Sequence, residues 1–282
     1  MKRSGSPARE YFLLALSSIG ISLGFAHLFL VSKLSSFATG PISGGLRETG
    51  LAVVLALLGL SGTTVFYTLL VRKRQFEARL VLAAVMAPTV GVVVVVVSQT
   101  ILLTVLKQTN ALAIALVIMF SLYLSVFSAI FVISGWASRA TRNIIYVVYG
   151  SVLGGFIGIG LTSLTLLVIL MMIALYDLLV ASYGLVPNLI ENVSRGSGVQ
   201  KLAYKSGVLE AGVGDFIFNS CLPAHVYIHF GIGMLMWTIL LVLAGYMISF
   251  FVALKRGYAG GISAPVFLGV IPMVLRLVSS AF

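Results

Sequence analysis

The sequence predicts an all-α membrane protein of nine transmembrane helices, with its N-terminus in the cytoplasm and its C-terminus outside. Three observations predict it. The 282-residue chain is 60% hydrophobic and 9% charged, with a mean hydropathy of +1.14, whereas a soluble domain carries roughly a quarter charged residues. Its apolar runs, such as LVLAAVMAPTVGVVVVVVSQTILLTVL at 80–106, exceed the roughly 20 residues that cross a bilayer, and they lack the alternation of barrel strands. Finally, 14 of the 18 Lys and Arg fall on one side of the nine-span arrangement, the asymmetry that marks the cytoplasmic face.

The spans follow in order. The opening MKRSGSPAREYFLLALSSIGISLGFAHLFLVS has the basic start of a signal peptide, but its apolar stretch runs about 20 residues and no A-x-A site follows, so 11–32 reads as a retained first span. The second, 49–71, and the third, 80–106, flank the basic run VRKR at 71–74, a cytoplasmic boundary suited to anionic headgroups. The fourth, 111–137, follows Lys107. From Asn143 to Ile190 the only charge is Asp177, and the stretch is too long for one span. Gly158, Gly160 and Thr162 divide it into 143–160 and 163–186. Ala211 to Leu254 holds only Asp215 and divides near Gly231 and Gly233 into 208–229 and 232–254; the ninth span is 264–281.

The basic residues outside that majority are Lys33, Arg47, Lys107 and Arg276. The net charge of +11 thus fixes topology and does not argue for nucleic acid. A single cysteine, Cys221, excludes an intrachain disulfide and a cysteine-based metal site. No internal repeat is evident, which gives an inverted-repeat transporter little support. The expectation is one polytopic domain over 1–282 in the cell membrane: spans one to six at 11–186, a cytoplasmic connection at 187–207, and spans seven to nine at 208–281.

The chain has only two aspartates, Asp177 and Asp215, and each lies inside an apolar run where a carboxylate costs about 3 kcal/mol on insertion scales. Asp177 stands seven residues before Gly184, roughly 10 Å below the cytoplasmic end of the sixth span; Asp215 lies at a similar depth in the seventh. Carboxylates at one depth on adjacent antiparallel helices can meet. Such a pair shares one proton. The ionised member can then take a proton from water while the protonated one donates to a carbonyl under attack. A structural pair or a proton relay in an ion-coupled transporter uses the same placement.

The flanking residues carry a resemblance. Tyr176-Asp177 and Gly212-Val213-Gly214-Asp215 resemble the tyrosine–aspartate and G-x-G-D motifs of the presenilin and signal peptide peptidase family of intramembrane aspartyl proteases. YDLL at 176–179 and GDFIF at 214–218 resemble the presenilin branch, as do nine spans with a cytoplasmic N-terminus. The likeness covers about 30 residues of the sixth and seventh spans and a weaker C-terminal piece, APVFLGVIP at 264–272. There Pro265 matches the proline of the family's P-A-L motif, while Val266 and Phe267 depart from it. The resemblance implies catalysis by Asp177 and Asp215 on transmembrane helices of other proteins. It further implies substrate contacts from Tyr176, Gly212, Gly214, Pro265, Val266, Phe267 and Leu268, with no metal, organic cofactor or obligatory protein subunit. Glycines without Cβ atoms let a second backbone come close, whether a scissile peptide or a packed helix. Proline disfavours regular helix, or simply begins one. The connection at 187–207 is short beside the long loop that presenilins cut in themselves, so no self-cleavage is expected.

Two other constellations compete. Gly59-Leu60-Ser61-Gly62 matches the G-x-S-G motif of rhomboid serine proteases, with His225 or His229 as base, but leaves both aspartates unexplained. His225 and His229, four apart, share a helix face yet lack H-E-x-x-H and a nearby carboxylate, and read as interfacial histidines. His27 reads as a packed or interfacial residue.

Overall fold

A backbone in lipid has no water to bond to, so it must satisfy its N–H and C=O groups within itself. The computed structural model describes residues 7–31, 54, 75–103, 107, 110–134, 139–182, 203–206, 209–256 and 261–281. Most of these are helical: α1 (Pro7–Val31), α2 (Gln75–Ile101), α3 (Ala111–Ser134), α4 (Arg139–Gly160), α5 (Ser163–Ser182), α6 (Val213–Phe230), α7 (Ile232–Arg256), α8 (Ser263–Gly269) and α9 (Ile271–Ala281). Among the described residues, five stretches are long and apolar enough to cross a membrane: Phe12–Leu30, Ala111–Phe131, Asn143–Gly160, Ser163–Ser182 and Ile232–Lys255. This is a membrane protein. The span expected at 49–71, the run at 71–74 and most of the connection at 187–207 lie outside the described residues.

Local chemistry sets the helix boundaries. Thr162 begins α5 by accepting the N–H of Thr165 on its Oγ1 at 3.4 Å, an N-cap where glycine spacing marked a turn. Asn110 does the same for α3, taking the N–H of Ala113 at 2.8 Å. Gly231 separates α6 from α7 with φ of +83°, the left-handed conformation that glycine adopts without strain.

Two boundaries differ from expectation. The seventh span, expected from 208, begins at Val213, because Ala203–Ser206 (β1) and Leu209–Gly212 (β2) pair as an antiparallel hairpin. The register sets Ser206 opposite Leu209 and Ala203 opposite Gly212. The ninth span is divided into α8 and α9 at Val270. Pro272 has no N–H to give the carbonyl of Leu268 four residues earlier, which interrupts the ladder there.

Helix α6 occupies the middle of the assembly, packed on α4, α1, α7 and α8. A row of glycines on α4 makes the closest of these contacts. A Cβ at Gly150 would stand 2.7 Å from Cβ of Phe216, one at Gly154 would stand 2.2 Å from the carbonyl oxygen of Ile217, and one at Gly158 would stand 2.2 Å from that of Cys221. Small residues four apart bring the two backbones together, the usual means of packing where lipid offers no hydrophobic drive. Hydroxyls seal the third side. Ser22 donates to the carbonyl of Ser220 at 2.8 Å, and Ser151 to Ser18 Oγ at 2.8 Å.

Gly158→Ala would drive a methyl into the carbonyl of Cys221. It should lower the thermal midpoint in detergent by an amount equivalent to about 1–3 kcal/mol, the usual penalty of overpacking. Gly20→Ala, with nothing within 4 Å of its position, should be neutral or stabilising by up to about 1 kcal/mol through helix propensity.

Candidate active site

Burial picks out one face of each aspartate-bearing helix. On α5 the fully buried residues Leu166, Leu170 and Ala174 recur every fourth position, and Asp177, three further on, continues the same stripe. On α6, Asp215, Asn219, Leu222 and Val226 form the corresponding stripe, the last three of them buried. Both stripes turn to one core, with Val242 and Tyr246 of α7 and Val266 of α8.

The two helices touch one another little, and α8 lies between them. Asp177 Oδ2 accepts the N–H of Ile262 at 3.1 Å and of Ser263 at 3.0 Å. These are orphan donors at the start of α8. Ile262, in the N-cap position, has no side-chain cap to offer them, so a carboxylate 85 residues away in sequence supplies it. Asp215 approaches the same segment from the other side. A Cβ placed on Gly261 would lie 2.7 Å from its Cγ and Oδ2 and 2.8 Å from its Oδ1. The two acids therefore converge on three consecutive residues, Gly261–Ser263.

Asp215 is the third residue of α6 and not two turns inside it, because strand β2 takes the residues expected to begin the helix. A negative charge in a first turn is favourable. Gly212 ends β2 opposite Ala203. Among the described residues only a Phe218 ring carbon, at 3.8 Å, comes within 4 Å of a Cβ position at Gly214. Tyr176 is half-buried. Pro265 and Val266 are buried, and Phe267 and Leu268 half-buried. Pro265 sits in the first turn of α8, where its missing N–H leaves no intrahelical bond unmade.

Three residues at this site were not singled out by sequence. Gly261 admits the Asp215 carboxylate. Gly245 of α7 admits α8: a Cβ there would stand 2.4 Å from Pro265 Cα and 2.5 Å from its nitrogen. Asn219 donates from Nδ2 to the carbonyl of Gly261 at 3.3 Å. The signal for Asn219 was present, a carboxamide four residues after Asp215 in an apolar helix, hence on the same face.

The histidines do other work. His225 is fully buried and not interfacial; Nδ1 meets the carbonyl of Gly158 at 2.7 Å and Nε2 meets Ser163 Oγ at 2.8 Å. Those bonds tie α6 to the junction of α4 and α5. His229 stacks near it, ring centroids 4.4 Å apart. His27 is exposed, with Nδ1 2.8 Å from the Tyr227 hydroxyl. Among the described residues no three His, Cys, Asp or Glu are grouped to hold a metal ion. The Gly59–Gly62 motif lies outside the described residues.

No protein-family model matches the chain, and no curated protein matches it either. Among solved structures, a presenilin family intramembrane aspartate protease matches in two crystal forms. One superposes with a TM-score of 0.60 at 16% identity, covering 97% of this chain and 99% of that one. The other gives 0.59 at 19% identity, covering 99% of each. At such identity the likeness is one of fold, and it extends over nearly the whole chain.

Asp177→Ala leaves the amides of Ile262 and Ser263 without an acceptor. Its thermal midpoint in detergent should fall by the equivalent of about 1–2 kcal/mol, as on loss of an N-cap, whereas Asp177→Asn, which keeps an acceptor oxygen, should lose less.

Proposed function

We propose that this protein, with its presenilin-like fold, is an intramembrane aspartyl protease that hydrolyses peptide bonds within transmembrane segments of other membrane proteins. The observation that carries the reading is the convergence of Asp177 and Asp215 on Gly261–Ser263. Two acids from different helices, brought to one short peptide segment, form an arrangement suited to acting on a peptide. The ionised member of the pair would take a proton from water, and the protonated member would donate to the substrate carbonyl, with no metal or organic cofactor.

The remaining assignments belong to the same proposal. The chain crosses the cell membrane nine times, with the N-terminus in the cytoplasm and the C-terminus outside. Gly212 and Gly214 give an extended substrate backbone room beside Asp215, a role that the sparse surroundings of Gly214 among the described residues support. Pro265 and Val266, buried against α7, shape the cleft by fixing α8, while Phe267, Leu268 and Tyr176 are half-buried and offer apolar surface to substrate side chains. A transporter reading gives no role to a peptide segment brought to both acids.

Protein purified in detergent should cleave a single-span reporter substrate. Asp177→Asn and Asp215→Ala should each lower the rate at least about 100-fold, the range for loss of a general acid or base. Because one carboxyl must be ionised and one protonated, the rate should fall on both sides of a pH optimum. Chelators should leave it unchanged, and peptides carrying a hydroxyl in place of the scissile carbonyl should inhibit. Cleavage that persists in Asp215→Ala would overturn the assignment, and ion flux without cleavage would replace it with transport.

A further inference from the structure

The geometry points to Asn219 as the positioning residue of the acid pair. The inference rests on the protease reading above and adds to it a residue that neither carboxylate motif contains. Asn219 lies one helical turn beyond Asp215 on the core-facing side of α6, only 2% exposed. Its Nδ2 donates to the carbonyl of Gly261, and the N–H of Ile262 donates to Asp177. That carbonyl and that N–H are the two ends of a single peptide group.

A trans peptide is planar and rigid, with its C=O and N–H directed oppositely, and the described backbone has no cis bonds. The Gly261–Ile262 peptide is therefore a fixed spacer. One end hangs from α6 through Asn219, and the other holds the carboxylate of α5. Asp215 sits on the same α6 face and rests against Gly261. Asn219 thus sets where Asp177 stands relative to Asp215, although it touches neither acid through this bond. Direct contact between α5 and α6 is slight, so the two acids are related chiefly through α8 and its entry, which α7 holds from one side and Asn219 from the other.

Asn219 is a poor choice for packing alone. Its Oδ1 is buried without a hydrogen-bond partner among the described residues, and an unpaired buried acceptor is costly. Leucine, of similar size, would avoid that. A residue retained at a loss to the core is more readily explained by the bond it makes than by the space it fills.

Two variants separate positioning from support. Asn219→Leu removes the whole carboxamide, and Asn219→Asp keeps its shape without the donor. In detergent, with the reporter substrate, both should lower kcat at least about 10-fold, roughly what one displaced catalytic contact gives, with KM within about 2-fold. The thermal midpoint of Asn219→Leu should move by no more than about 3 °C, a shift near 1 kcal/mol for a chain of this size. A residue that merely supports the fold would lose stability first, and kcat and KM together.

A second measurement does not depend on cleavage. In a chain carrying Asp177→Cys and Ser263→Cys, oxidation should join the two thiols, and adding Asn219→Leu should slow that capture at least about 5-fold, since the spacer would no longer be anchored. If the wild type cleaves nothing, the protease reading fails, while the capture rates still decide whether Asn219 positions the segment. Unchanged kcat in both variants, or equal capture with and without Asn219, would overturn the proposal.

Discussion

The start of α8 is the constraint on which the site depends. In lipid a helix N-terminus presents N–H groups that nothing outside the protein will satisfy, each a matter of several kcal/mol. Ile262 and Ser263 present two of them, and Asp177 accepts both. A carboxylate in an apolar helix and two donors with no cap of their own thus satisfy one another, and each explains the other's position. A group that caps a helix is held in place by the fold, which is what a chemical group also requires.

Convergence of the second acid depends on missing side chains. Gly261 leaves space that the carboxylate of Asp215 occupies, Gly245 lets α8 settle directly on α7, and the glycines of α4 let α6 sink until backbone meets backbone. A side chain at Gly245 would push α8 off α7, and one at Gly261 would displace the Asp215 carboxylate. The serine bonds between α1, α4 and α6 hold the opposite side of α6, so its aspartate-bearing face is fixed from behind.

The resting arrangement also bears on how the proposed chemistry would begin. The segment between the acids belongs to the protein itself, with its amides engaged by Asp177. Strand β2 and Gly214 lead directly into Asp215, and among the described residues only a Phe218 ring carbon comes within 4 Å of a Cβ position at Gly214. On the proposed reading, a substrate strand would enter from the hairpin side, next to an acid pair already held at a common peptide.

Sequence by itself determined the membrane character and the helical class and singled out the two aspartates, because composition, length and isolated charges are local properties. It read the glycine-and-threonine turn at Thr162 and the break at Gly231 for the same reason. It did not reveal which way the acids face: α5 is apolar on every side, so no periodicity distinguishes its core stripe from its lipid stripe, and only packing exposed the run from Leu166 to Asp177. Nor did it assign the residues before Val213 to a strand, since an apolar stretch running into a helix looks like its first turn. The meeting of Asp177 with amides 85 residues away, and of Asp215 with Gly261, was decided by tertiary structure alone, because unsatisfied donors and the space beside a glycine acquire meaning only when distant segments are brought together.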